Sequence, residues 1–152
     1  MAGGSMLTLF HLVMIYHSAS LPQWVYRVDS CPDPKNISQW IEASKKLNCY
    51  HNLTSNNPTE QERIYHCLPS SFLNETLEFC SRSVLINSGN CPVYSYEFGT
   101  SNTPISYNCT DFISGCPTVM FKSKEVYKFP MCLNLRPKLR CFEAEKNCLS
   151  NT

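Results

Sequence analysis

The chain has 152 residues, a net charge of +1, and only 16% charged residues against a usual ~25%. That length fits one domain, and a hydrophobic content of 43% excludes a disordered tail. The near-neutral balance excludes the strongly basic field that a nucleic-acid binder carries.

The first predicted element is an export signal. Residues 6–16 form an apolar core of secretory-signal length, and Ser18-Ala19-Ser20 puts small residues at the positions a signal peptidase reads. The cut is expected after Ser20, leaving 21–152 as a single cysteine-rich extracellular domain. The stretch before the core carries no Lys or Arg, so only the amino terminus supplies positive charge there. No later segment approaches ~18 consecutive apolar residues, so no membrane span is expected in the mature chain.

Next comes a helix over residues 38–48. Ile37, Trp40, Ile41, Ser44 and Leu47 recur at the helical period, and Asn36 followed by Gln39 resembles a capping box. A second helix is predicted to start at Thr59-Glu60-Gln61-Glu62 and run to Cys67, stopped by Pro69. A third, short one spans Leu73 to Cys80. Strand character then takes over. Val93-Tyr94-Ser95-Tyr96-Glu97-Phe98 alternates, with Tyr94, Tyr96 and Phe98 on one face, and residues 104–109 form its partner. Val119-Met120-Phe121 and Val126-Tyr127-Lys128-Phe129 read as a hairpin around Lys122-Ser123-Lys124-Glu125. Helices followed by strands predict an α+β class: a small disulfide-rich domain with antiparallel strands and hairpins in its second half.

Ten cysteines, Cys31, Cys49, Cys67, Cys80, Cys91, Cys109, Cys116, Cys132, Cys141 and Cys148, imply an oxidising compartment and five disulfides. The predicted hairpin would oppose Cys116 and Cys132, giving one pairing; the others stay open. Four sequons are intact, at Asn36, Asn52, Asn74 and Asn108, whereas Pro58 spoils Asn57-Pro58-Thr59. Together with the signal peptide they predict a secreted glycoprotein whose modified asparagines face solvent.

Catalytic patterns are missing. His11 and His17 leave with the signal; His51 falls in a predicted exposed loop and His66 at a predicted helix end, both read as surface placements. Neither sits in a nucleophile–base signature. No Cys-x-x-Cys occurs, which disfavours a zinc site or a redox dithiol. Five glycines leave no phosphate-cradling loop, and no calcium-loop pattern is present. No cofactor or metal is expected. A two-carboxylate glycosidase of the small lysozyme kind is the enzyme reading left to test.

Charge is unevenly spread. Residues 29–97 carry five basic and eight acidic side chains, and residues 122–146 carry seven basic and three acidic. Arg136, Lys138 and Arg140 mark a basic patch suited to an anionic glycan or cell surface.

The phrases Tyr65-His66-Cys67-Leu68-Pro69-Ser70-Ser71-Phe72-Leu73-Asn74-Glu75-Thr76, Gly89-Asn90-Cys91-Pro92-Val93-Tyr94, Tyr107-Asn108-Cys109-Thr110, Ser114-Gly115-Cys116-Pro117, Tyr127-Lys128-Phe129-Pro130-Met131-Cys132 and Cys141-Phe142-Glu143-Ala144-Glu145-Lys146-Asn147-Cys148 carry a resemblance. From about Trp40 to Cys148 the chain resembles a group of cysteine-rich secreted or receptor-like ectodomains of bivalve molluscs, often joined to EGF-like repeats or a membrane span. That resemblance implies a receptor-like extracellular module and supplies no catalytic residues. The chain ends four residues past Cys148 without either addition. It is therefore expected to be a free secreted protein, or a tethered one if the natural chain is longer.

The function expected is a secreted or cell-surface recognition module, innate-immune or receptor-like, for an extracellular protein or glycan ligand. The exposed-prone aromatics Tyr94, Tyr96 and Tyr127 and the basic last third are the features pointing there, although ordinary sheet core is the commoner place for each tyrosine. A matrix or mucus component is the alternative, and a small hydrolase the third reading.

Overall fold

A computed structural model describes residues 21–49, 63–97 and 103–149. The signal segment, His51, the sequon at Asn52 and Phe98 lie outside the described residues.

The strands are β1 (Val25–Val28), β2 (Ile64–Pro69), β3 (Thr76–Ser81), β4 (Leu85–Ile86), β5 (Asn90–Val93), β6 (Ile105–Asn108), β7 (Phe121–Lys122), β8 (Leu135–Arg136) and β9 (Cys141–Phe142). The helices are α1 (Ile37–Lys46) and a single closing turn, α2 (Lys146–Leu149). Two 3₁₀ segments, Ser123–Lys128 and Pro130–Cys132, lie between β7 and β8. The class is α+β, and all its strand ladders are antiparallel.

α1 forms as its sequence pattern predicts. Asn36 caps it, its side chain accepting from the Gln39 amide at 3.4 Å. Asn48 ends it at φ 56°, a left-handed position that asparagine tolerates. The amides of Asn48 and Cys49 turn back to the carbonyls of Lys45 and Ser44, at 3.0 and 2.8 Å, which is a Schellman closure.

The main sheet has the order β1-β3-β2. Its register places Val25, Phe79 and His66 in one row and Arg27, Leu77 and Leu68 in another, all on one face. Tyr65, Cys67, Glu78 and Cys80 occupy the opposite face. α1 covers that second face through Trp40, whose ring meets Tyr65 edge-on at 5.7 Å. Two disulfides, Cys31–Cys67 and Cys49–Cys80, pin both ends of the α1 segment there. Each closes a loop of a few tens of residues, for which unfolded-state entropy alone gives roughly 4 kcal/mol. The first face meets the rest of the chain: Phe79 packs edge-on against Tyr94 at 5.0 Å.

This arrangement overturns the helix predicted at 73–80 and the described part, 63–67, of the helix predicted from Thr59, whose start at 59–62 lies outside the described residues. Ile64–Pro69 and Thr76–Ser81 are strands, mostly buried on both faces, and a segment buried all round does not separate strand from helix by period. Leu73, at φ 53°, closes the turn between them.

The second half is built from short pairs. β5 and β6 pair from Asn90↔Asn108 to Val93↔Ile105, so the strand expected at 104–109 forms as β6, but its partner is Asn90–Val93 and not the alternating run from Val93 to Phe98. The strand expected to run on to Phe98 stops at Val93, and Tyr94 continues only as a parallel bridge to Ser70. The hairpin predicted over 119–129 does not form. Phe121 pairs with Ile86 instead, and Ser123–Lys128 winds into a 3₁₀ segment that Glu125 caps by accepting from the Lys122 amide at 3.4 Å. With the hairpin goes the Cys116–Cys132 pairing. Cys116 bonds Cys109, Cys132 bonds Cys91, and Cys141 bonds Cys148, so all ten cysteines are paired.

Candidate recognition surface

Residues Leu135 to Phe142 form a two-stranded hairpin with Leu135 opposite Phe142 and Arg136 opposite Cys141. At its tip the amides of Leu139 and Arg140 donate to the carbonyls of Arg136 and Pro137, at 3.0 and 3.3 Å. Arg140 sits at φ 53°, which turns the chain back into β9. Behind the tip, Cys141–Cys148 ties β9 to α2. Phe142, fully buried, anchors the base against Tyr107 and Phe112 at 5.3 and 5.2 Å.

The hairpin therefore brings together the three cations predicted as a patch. Lys138 and Arg140 are exposed and Arg136 is half-buried, with Leu139 exposed between them. The ion pairs among the described residues lie elsewhere, at Arg27–Glu75 and Lys128–Glu125. None of the three tip cations is neutralised by a described carboxylate. Their chemistry is that of a small, rigidly based cationic finger, able to hold sulfate or carboxylate groups.

The tyrosines offered for recognition, with sheet core as the commoner expectation for each, fall mostly on the core side. Tyr94 is buried at 2% exposure, so its ring belongs to the core. Tyr96 and Tyr127 are half-buried, and Tyr127 leans on Trp40 at 5.8 Å. Among the described residues, the exposed aromatics are Trp24, Tyr26 and Phe72. Trp24 and Tyr26 line a cleft of about 310 Å³ with Leu47, Arg63 and Cys80. Trp24-Val25-Tyr26 carries no polar–apolar alternation, so nothing in the sequence marked the two rings as exposed.

His66 is not a surface residue. At 1% exposure it stacks on Phe79 at 5.6 Å. Its Nδ1 lies 2.9 Å from the Ile64 carbonyl and its Nε2 2.9 Å from Ser123 Oγ. The neutral tautomer satisfies all of these contacts: Nδ1–H donates to Ile64, and Ser123 O–H donates to Nε2. Ser123 Oγ in turn accepts from the Val84 amide at 3.0 Å. Burial pushes the imidazole down to about 4, with the Lys124 charge adding to the effect and the Ile64 bond opposing it. The spacing is that of a nucleophile and its base, but the third group is a backbone carbonyl and Ser123 is fully buried. The pair is a clasp between β2 and the 3₁₀ segment.

Among the described residues, no group of three or more His, Cys, Asp or Glu is placed to hold a metal ion. No described helix is long and apolar enough to cross a membrane. Three sequon asparagines are exposed. Asn36 is the α1 cap, Asn74 lies in the β2–β3 turn, and Asn108 ends β6 with its Oδ1 accepting from Thr110 N and Oγ1 at 2.9 and 2.6 Å.

No family model, curated protein or solved structure matches the chain. Fold and surface define the class to which it can be assigned, a cysteine-rich α+β module. Its five disulfides fit an extracellular setting.

Proposed function

We propose that this chain is an extracellular recognition module that captures an anionic glycan at the β8–β9 tip and performs no catalysis of its own. The observation carrying this reading is the convergence of Arg136, Lys138 and Arg140 on one braced tip, unpaired with any described carboxylate. Fixed cations on a rigid hairpin lose little conformational freedom on binding, and their long-range field raises encounter rates. Export by a signal at residues 1–20 and kinship with the bivalve ectodomain group belong to the same reading.

Retention on immobilised heparin tests it. The Arg136→Ala, Lys138→Ala, Arg140→Ala triple variant is expected to elute at clearly lower salt, since each lost contact lowers the salt-dependent part of binding. All three residues lie outside the buried core, so the variant retains its fold and its circular dichroism. Unchanged elution would remove the glycan assignment.

A further inference from the structure

The β2–β3 turn holds a second surface with a different occupant. Phe72 is 58% exposed at this turn. One face of its ring is covered by Tyr96, stacked at 5.2 Å and 17°. Tyr96 is itself fixed: its hydroxyl donates to Glu75, which pairs with Arg27 at 2.5 Å, and its ring meets Tyr94 edge-on at 5.2 Å. Phe72 is thus a rigid aromatic shelf whose exposure leaves apolar surface in water.

Two residues along the same turn stands Asn74, in the sequon Asn74-Glu75-Thr76. The turn is tightly specified. Leu73 N donates to Ser70 O at 2.9 Å, Ser70 N to Glu75 O at 2.9 Å, and Leu73, at φ 53°, buries its side chain beneath. Ser70 Oγ, fully buried, donates to Asn74 Oδ1 at 2.7 Å. The amide oxygen of Asn74 is therefore held by the protein, and Nδ2, the atom that receives a glycan, is the free end of an exposed side chain.

We propose that the N-linked sugar on Asn74 folds back onto Phe72, its first N-acetylglucosamine packing the C–H face of the pyranose against the ring. The glycan would act as a structural cap on the turn, a role that Asn36 and Asn108 lack because no exposed aromatic precedes either by two residues. The energetic basis is burial of apolar ring surface together with the negative face that an aromatic ring offers to C–H groups. The inference rests on export through a glycosylating compartment, as the proposed function does.

Thermal midpoints of four proteins secreted from a glycosylating host test it: the parent, Asn74→Gln, Phe72→Ala and the double variant. Loss of the sugar is expected to lower the midpoint by roughly 3–6 °C with Phe72 present, and by much less in the Phe72→Ala background. Trimming the parent to one N-acetylglucosamine with an endoglycosidase should leave the midpoint unchanged, whereas complete removal should lower it. Equal effects in both backgrounds, or an Asn74 left unmodified while Asn36 and Asn108 carry glycans, would overturn the cap. Absence of glycan at all three sites would overturn export itself, and the cap with it.

Discussion

His66 and Ser123, 57 residues apart in the chain, meet at 2.9 Å with both side chains fully buried. This contact joins the N-terminal sheet to the 3₁₀ segment of the second half, and its chemistry works only with a neutral imidazole. The folded group titrates near 4, below its ordinary 6.5, so the unfolded chain binds the proton first as the solution acidifies. The clasp is fully stabilising above about pH 6.5 and is lost as pH falls towards 4, a change on the order of 3 kcal/mol. Denaturant unfolding followed between pH 7 and pH 4 is expected to show that decline. A His66→Gln variant should start less stable and lose much less across the window. A parallel decline in both proteins would place the acid sensitivity elsewhere.

The disulfide map is directly checkable. Proteolysis without reduction is expected to yield the linked pairs Cys31–Cys67, Cys49–Cys80, Cys91–Cys132, Cys109–Cys116 and Cys141–Cys148, with no thiol available to an alkylating agent. A Cys116–Cys132 peptide would restore the local hairpin that the structure replaces.

The two tryptophans should separate sharply. Trp40 is buried between Tyr65 and Tyr127, and its Nε1–H donates to the Asp33 carbonyl at 3.1 Å. Trp40→Ala is expected to cost about 3–5 kcal/mol in urea unfolding. Trp24 is 52% exposed, and Trp24→Ala should change stability by no more than about 0.5 kcal/mol.

Gly115 has two independent reasons to be glycine. It lies at φ 84°, and an added Cβ would stand 2.3 Å from Met131 Cγ. Gly115→Ala is expected to destabilise by about 1–3 kcal/mol. Adding Met131→Ala should remove the closer clash, at Cγ, and leave the 2.8 Å approach to the Cβ and the backbone strain, so the double variant should cost less than the two single effects combined. Strict additivity in calorimetry would show that the clash is not what the site avoids.

How much of this could be read beforehand follows from where each segment's partners lie. α1 was legible because its period, Asn36 cap and local closure are contained in its own residues. β6 was legible as a strand at 104–109, whereas β5 was not, because Asn90–Val93 carries no polar–apolar alternation and is buried along most of its length. β2 was not: Tyr65, His66, Cys67, Leu68 and Pro69 are all buried, so neither face leaves a polar mark. His66 was misplaced for the same reason, since its partner Ser123 comes from the far half of the chain. The Cys116–Cys132 pairing failed because Phe121 pairs with Ile86 and not with a neighbour. Of the recognition surface, the cations Arg136, Lys138 and Arg140 were visible as a cluster. Tyr94 is core, as the commoner expectation for a strand tyrosine had it, whereas nothing in the sequence marked Phe72 as exposed.

No disulfide links a cysteine up to Cys80 with one from Cys91 onward. A ribosome delivers the chain from its N-terminus, so the first four cysteines can complete their two bonds before the other six emerge. The order of synthesis is then also a workable order of oxidation, with no early bond that must later be broken. One cut between the two groups would leave fragments that share no covalent link, held only by contacts such as His66 to Ser123 and Phe79 to Tyr94.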